Sequence, residues 1–416
     1  MKIGEVAKKY GLSKDTLRYY MKAGLLIPED AGRYSRTEFK PRDIEDLELI
    51  LHMKEQQFRL EEVLTALSLK RTSNMIEPET IRAYIELYEN KRHELLAQIT
   101  DLNCAKESVE RDIVHLSHNE LQPIVSTGVP LRALSLLQCP DCGGKLRLEN
   151  ADLDERYVYR GTLRCKCGKE LQIVNGILET GNLYTGEYDS PDLKRELYVS
   201  AGGKFVSYLE KSVDKLCRYM ERRKTSSLVI METHINALFF AYNHLEAVPE
   251  NCLYIVTDKY PILLQEYKRL LESMGVQRDF LFIADNSMRF PLREKCVNLL
   301  VSCMSDNEYC LYNHGSYIGE IKQFLADDAE VLGTILLFDD NAESQRRIHE
   351  KYPEGSKTPF SRNGLMQRYQ DAGYQLTLEE EGAVNKTNNT GKFTLACHVP
   401  GEALGVNFFY AVPRQK

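Results

Sequence analysis

The sequence predicts a multidomain chain of two characters, α at its N-terminal end and α/β at its C-terminal end. Three patterns predict it. Short helical apolar repeats joined by glycine turns fill the first 75 residues. A largely apolar 4-3 repeat then runs from Ile81 to Leu116. From residue 227 onward, six short runs rich in β-branched and aromatic residues alternate with helical segments, which predicts βαβ units and a mostly parallel, doubly wound sheet.

A chain of 416 residues exceeds what one hydrophobic core organises, so several domains are expected. With 43% apolar and 28% charged residues, neither a disordered nor a fibrous chain fits. No apolar run approaches the roughly 18–20 residues of a membrane span. MKIGEVAKKYG has no apolar signal region, so the expectation is a cytoplasmic protein whose eleven cysteines stay reduced. The net charge of -7 is unevenly spread: residues 1–42 hold ten Lys/Arg against five Asp/Glu. A basic head on an acidic body suits a head that meets a polyanion.

In the head (1–75), Ile3, Val6, Ala7 and Tyr10 share one face of a first helix that Gly11 ends. Ser13 is a suitable N-cap for a second helix, SKDTLRYYMKAG. Gly32 punctuates a hairpin-like segment, AGRYSRTEF, before Pro41 opens a third helix, and a fourth spans Leu60 to Leu69. This is the outline of a winged helix-turn-helix. Lys14, Thr16, Arg18 and Tyr19 fall on its second helix and Arg33, Tyr34 and Arg36 on its wing, the two elements such a fold sets against DNA. Arginine brings a charged fork to phosphate oxygens, and tyrosine a flat surface with a hydroxyl. The bland alternative is a solvated basic face.

Residues 76–120 read as a long helix. Ile81, Ile85, Tyr88, Arg92, Leu95, Ile99, Leu102, Lys106, Val109, Ile113 and Leu116 are spaced 4-3-4-3, and nine of these eleven are apolar. A coiled coil with a second copy is expected, against the alternative of a helix packed on its own domain. Residues 121–190 are a linker (Pro123, Gly128, Pro130) and a small ribbon. Cys139-x2-Cys142 and Cys165-x-Cys167 supply four thiolates beside glycines, a closed set that suits structural zinc rather than catalytic zinc. The alternative is two unrelated cysteine pairs.

IGEVAKKYGLSKDTLRYYMKAGLLIP, followed by RDIEDLELILHMKEQQFRLEEVLTAL, resembles the N-terminal domain of MerR-type transcription regulators over about 70 residues. The resemblance places Thr16, Arg18 and Tyr19 at recognition-helix contacts and Arg33, Tyr34 and Arg36 in the wing. It implies a homodimer that acts with RNA polymerase by bending and untwisting double-stranded promoter DNA. Met21, where the family usually has an acidic residue, and the wing GRYSRTEF depart from its pattern. CPDCGGKL and LRCKCGKELQIVNGIL are similar to the zinc ribbons that precede the methyltransferase domain of some rRNA guanine methyltransferases.

Residues 191–416 resemble class I S-adenosylmethionine-dependent methyltransferases, through SLVIMETHINALFFAYN, CLYIVTDKYPILLQEYKRL and FLFIADNSMRFPLREKCVNLLVS. The resemblance sets Asp258 at the acidic position that holds ribose hydroxyls and Asp285 near the adenine. Where that family turns on G-x-G-x-G, this chain reads Thr233-His234-Ile235-Asn236-Ala237, without a glycine. Side chains there would crowd the methionine half of the cofactor, which makes S-adenosylmethionine a doubtful ligand. Glu232 and His234 join Asp258 and Asp285 as candidate ligand residues, although a lone histidine at a strand end is more often structural. Three readings follow. The first is a dimeric regulator whose body senses a small molecule in a repurposed cleft. The second is an active methyltransferase with a DNA-binding head, and the third is a regulator whose body is an interaction platform. The missing glycines favour the first over the second, and the retained aspartates favour it over the third.

Overall fold

The computed structural model describes residues 1–29, 37–73, 76–117, 125–194, 202–223, 228–236, 238–386 and 396–414. The chain divides into two compact units, Met1–Glu120 and Leu121–Lys416. Among the described residues, no helix is long and apolar enough to cross a membrane.

The first unit is helical. Helix α1 (Ile3–Tyr10) stops where Gly11 takes a left-handed φ of 66°, a conformation open to a residue without a Cβ. Helix α2 (Lys14–Lys22) starts at Ser13, whose hydroxyl accepts the backbone N–H of Thr16 at 2.9 Å. Helix α3 (Pro41–Glu55) opens on a proline, whose missing N–H is no loss in a first turn, and α4 (Leu60–Thr72) follows. Their apolar faces meet in one core around Val6, Leu17, Leu47, Ile50, Phe58 and Val63.

Helix α5 (Pro78–Ser117) is a single helix of 40 residues. Its first turns lie on the head. The Tyr88 ring meets Phe58 edge-on at 5.0 Å, and the Tyr84 hydroxyl donates to the Ala66 carbonyl at 2.8 Å. Lys91 is buried there between Glu62, at 2.9 Å, and Glu94, so its charge is neutralised where water is excluded. Tyr88, expected in the seam, therefore packs against the head's own core. Farther along, the apolar repeat is bare: Ile99 is 55% exposed, Leu102 69%, Ile113 58% and Leu116 68%.

Among the described residues, the second unit is built on one sheet of twelve strands. Its first part holds β1 (Val129–Pro130), β2 (Leu146–Leu153), β3 (Tyr157–Cys165), β4 (Glu170–Val174) and β5 (Ile177–Glu179). Then come α6 (Gly203–Glu221), β6 (Val229–Thr233), α7 (Phe240–Asn243), β7 (Leu253–Asp258), α8 (Pro261–Ser273) and β8 (Asp279–Ala284). Strand β9 (Val297–Cys303), helices α9 (Ser305–Tyr312) and α10 (Tyr317–Ile321) and strand β10 (Leu325–Leu337) follow. The unit ends with α11 (Glu343–Lys351), α12 (Arg362–Asp371), β11 (Tyr374–Val384) and β12 (Leu404–Pro413).

The strand order is β1-β3-β4-β5-β8-β7-β6-β9-β10-β12-β11, with β2 on β3. Pairing is parallel from β5 to β10, and β12 runs antiparallel to both β10 and β11. Strand interiors are apolar on both faces because both faces are covered: Tyr254 and Val256 of β7 enter one buried cluster, Leu253 and Ile255 the other. Numbered from β6, the central order is 3-2-1-4-5, the doubly wound Rossmann-like arrangement. The added antiparallel β12–β11 pair matches the methyltransferase-like fold the sequence predicts.

The ribbon (121–190) is continuous with the sheet of the α/β body (191–416): β5 pairs with β8 in parallel register, Ile177 opposite Phe282 and Glu179 opposite Ala284. The physical reason is edge protection: β8 would otherwise present an unpaired row of backbone groups, and Ile177 and Leu178 bury fully in covering it.

Candidate functional site

Three places carry the candidate residues. On α2, Leu17 and Tyr20 point into the core, which turns Lys14, Arg18 and Tyr19 outward. Tyr19 is 55% exposed. The Arg18 guanidinium is held by Asp15 one turn earlier, at 2.7 Å, and the Thr16 hydroxyl lies 2.8 Å from that of Ser13. Helix α2 is thus capped, amphipathic and basic on its outer face. The wing residues Arg33, Tyr34 and Arg36 lie outside the described residues; just beyond them, Glu29 and Glu38 form an antiparallel bridge.

In the ribbon, the sulfurs of Cys139, Cys142, Cys165 and Cys167 all lie within 4.8 Å of one another. Cys139 and Cys167 approach to 3.6 Å and Cys142 and Cys165 to 3.4 Å, near the spacing that tetrahedral thiolates about 2.3 Å from one ion require. A Cβ at Gly144 would sit 3.2 Å from two of the four sulfurs, so a side chain there would crowd the knuckle. The backbone N–H of Cys167 holds the Cys165 thiol down to about 7, towards the thiolate a metal needs. The cluster could hold a metal ion, and the donor set fits zinc.

The third place is the crevice at the C-terminal ends of β6, β7, β8 and β9, where the strand order reverses. Glu232, expected there, instead faces the core. It accepts the backbone N–H of Phe240 at 2.8 Å and the hydroxyls of Tyr254 and Tyr267 at 3.1 and 3.0 Å. Burial pushes its carboxyl up to about 7. The side chain fixes the start of α7. His234, in the first loop, takes a left-handed φ of 53°, and its backbone N–H donates to the Thr257 carbonyl at 3.0 Å. Its ring stands edge-on to Tyr309 and Tyr317. Burial, with the Lys259 charge nearby, lowers its pKa to about 3, so the ring is neutral and ill suited to proton transfer.

Asp258 and Asp285 do stand at the strand ends, but this chain already occupies them. Asp258 accepts the N–H of Ile235, in the first loop, at 3.0 Å and that of Tyr260 at 2.9 Å. Asp285 accepts the Thr180 hydroxyl at 2.5 Å, the Asn182 amide at 3.3 Å and the Ser287 N–H at 2.7 Å. Residues 180–192 form a strap across the strand ends. Beyond Asp285, the strap reaches Lys259 through Asp189 (2.7 Å) and Asn236 through the N–H of Asp192 and the carbonyl of Ser190.

Under the strap lies a group that sequence reasoning missed. The Lys259 ammonium sits 3.8 Å from the centre of the Tyr312 ring, 4.7 Å from Tyr184 and 5.4 Å from Tyr260. Asp189 pairs with it, and Glu308 faces it at 3.5 Å. Burial alone would lower the pKa of Lys259, but these two carboxylates hold it above the usual lysine value. Burial pushes Glu308 up to about 8 and Asp258 up to about 7. The only signal in the sequence was the aromatic, acidic composition of residues 184–189 and the Lys259-Tyr260 pair after Asp258.

Residues 1–70 match the family model described as MerR HTH family regulatory protein. The chain is similar to the transcriptional regulator BrlR of Pseudomonas aeruginosa, 26% identical over 160 residues, which are 38% of this chain and 57% of that protein. It therefore spans just over half the length of that relative. An uncharacterized HTH-type transcriptional regulator of Haemophilus influenzae is 30% identical over 100 residues, 24% of this chain and 70% of that one. A SAM dependent methyltransferase structure from Aquifex aeolicus aligns at 11% identity and a TM-score of 0.32, covering 49% of this chain and 89% of that one. The fold of the second unit rests on its own strand order. With the capped basic helix, the four-helix core and these relatives in hand, the chain belongs to the MerR family of helix-turn-helix regulators.

Proposed function

We propose that this MerR-type regulator works as a homodimer on promoter DNA, with its second unit as a small-molecule sensor. The observation that carries the dimer is the bare apolar seam of α5, which water would not tolerate over so many turns without a partner helix. Two heads then read an inverted repeat through Lys14, Thr16, Arg18 and Tyr19 and the wing residues Arg33, Tyr34 and Arg36. The family's mode of action, distortion of promoter DNA beneath RNA polymerase in the cytoplasm, is the mechanism proposed here.

Zinc is the proposed occupant of the cysteine cluster. Held by four thiolates it has no open position, so its role there is to fix the fold of the ribbon. The sensor reading of the crevice is supported by its place at the switch point of the sheet and by the strap that fills it. Methyl transfer is disfavoured. The first loop carries Thr233, Ile235 and Ala237 where glycines would admit the cofactor, and Asp258 is engaged by that same loop through the Ile235 N–H. Mobility shifts on promoter DNA, with methylation of DNA, RNA and small-molecule panels run alongside, test the proposal. Specific binding without methylation is expected, and methyl transfer by the purified protein would replace the sensor with an enzyme.

A further inference from the structure

We propose that the crevice under the strap is a binding site for a small organic cation, an ammonium or quaternary ammonium ion, whose place the Lys259 side chain holds in this structure. The inference rests on the sensor reading and gives its ligand a chemical class.

Three tyrosine rings, Tyr184, Tyr260 and Tyr312, turn towards one cationic centre within 5.4 Å. The negative faces of such rings attract a cation without demanding hydrogen bonds, which is how aromatic cages read quaternary ammonium groups. A structural ion pair needs one carboxylate for one ammonium, whereas Lys259 faces two, Asp189 and Glu308. Glu308 is 2% exposed and neither of its oxygens accepts a hydrogen bond, its contact with the Lys259 ammonium at 3.5 Å being a long one, so the cage holds a second acid that Lys259 does not fully engage. A larger cation would meet all three rings and both acids at once.

The construction also provides a way in. Tyr184 and Asp189 belong to the strap, an irregular segment, while Lys259 and Tyr260 follow β7 and Glu308 and Tyr312 lie on α9. Moving the strap alone opens the cage, and the four-carbon stem of Lys259 can swing its charge back to water. Because Lys259 competes from within, the apparent affinity of a ligand is its intrinsic affinity reduced by the fraction of cages that Lys259 leaves open.

The test is calorimetric titration of the full-length protein with choline chloride, against its neutral isostere 3,3-dimethylbutan-1-ol and a matched sodium chloride blank. Choline is expected to bind the wild type and the neutral alcohol is not. Lys259→Ala should bind choline at least tenfold more tightly, because the internal competitor is gone, and Glu308→Gln at least tenfold more weakly. Equal binding of the alcohol, or no choline heat from either wild type or Lys259→Ala, overturns the proposal. Should circular dichroism show Lys259→Ala unfolded, wild type against Tyr312→Leu decides: tenfold weaker choline binding supports the cage and equal affinity rejects it. Promoter binding measured with and without choline separates the two readings. Choline that binds but leaves promoter affinity unchanged removes the sensor and keeps the site. A promoter response to another molecule, with choline unbound, does the reverse.

Discussion

Replacing Leu102 and Ile113 by aspartate should turn the proposed dimer into monomers. Both lie on the bare stretch of α5, 69% and 58% exposed, and neither contributes to the core of the head. Seven seam residues (Ile81, Ile85, Ile99, Leu102, Val109, Ile113 and Leu116) are 41 to 69% exposed in the single chain. Full burial of such a side chain is worth about 1.5–3 kcal/mol, so covering the exposed half yields about 1 kcal/mol each. Fourteen side chains across a dimer give about 14 kcal/mol gross, against an association cost of roughly 4–15 kcal/mol. The margin is thin. The double variant removes four of these contributions, about 4 kcal/mol, or about a thousandfold in dissociation constant, before any cost of burying charge. Sedimentation velocity across micromolar concentrations reads it directly, with Asn103→Asp, an exposed change off the seam, as the control that stays dimeric. A double variant that sediments as a dimer refutes the seam.

Metal analysis of freshly purified reduced protein should find one zinc per chain, and Cys142→Ser should lose it together with ordered β2–β4, seen as a lower melting temperature; metal-free wild-type protein contradicts the site. Asp285→Ala removes the acceptor shared by Thr180, Asn182 and Ser287 and should cost about 1–3 kcal/mol in urea unfolding, with faster hydrogen exchange over residues 180–192. Unchanged exchange there would show that Asp285 does not tie the strap down. Glu232 is raised in the folded protein from 4.5 to about 7, so the protonated form is favoured by folding. Its contribution is complete below pH 4.5 and is lost as pH rises through 7, a fall of about 3 kcal/mol. Glu232→Gln should flatten that part of the stability profile, and an identical profile in the variant would contradict the assignment.

The strongest local signals in the sequence proved reliable because their physics is local. Ser13 caps α2 through a contact three residues away, and Gly11 ends α1 through its own φ. The six β-branched runs became strands because both sheet faces are buried, and the cysteine spacing brought four sulfurs together. Strand β11 was not legible: the run Glu379-Glu380-Glu381 hides the alternation of a strand near the sheet edge whose partner, β12, supplies the hydrogen bonds. Nor was the share of β5 in the body sheet, since its pairing with β8 spans about a hundred residues. The surroundings of the crevice were not legible for the same reason. Asp258 and Asp285 stand at the ends of β7 and β8, but partners of theirs come from residues 180–182 and 235, and the Lys259 cage from 184, 189, 308 and 312. Contacts this distant leave no periodic trace in the chain.

Selection of bound duplexes from a random pool tests whether α2 reads DNA from a dimer. The expected result is an enriched inverted repeat whose half-sites are about one helical turn apart, bound with an affinity that falls steeply with salt, and an Arg18→Ala protein that fails to retain it. No enriched sequence, or an Arg18→Ala protein that binds the selected repeat as tightly as the wild type, would contradict it.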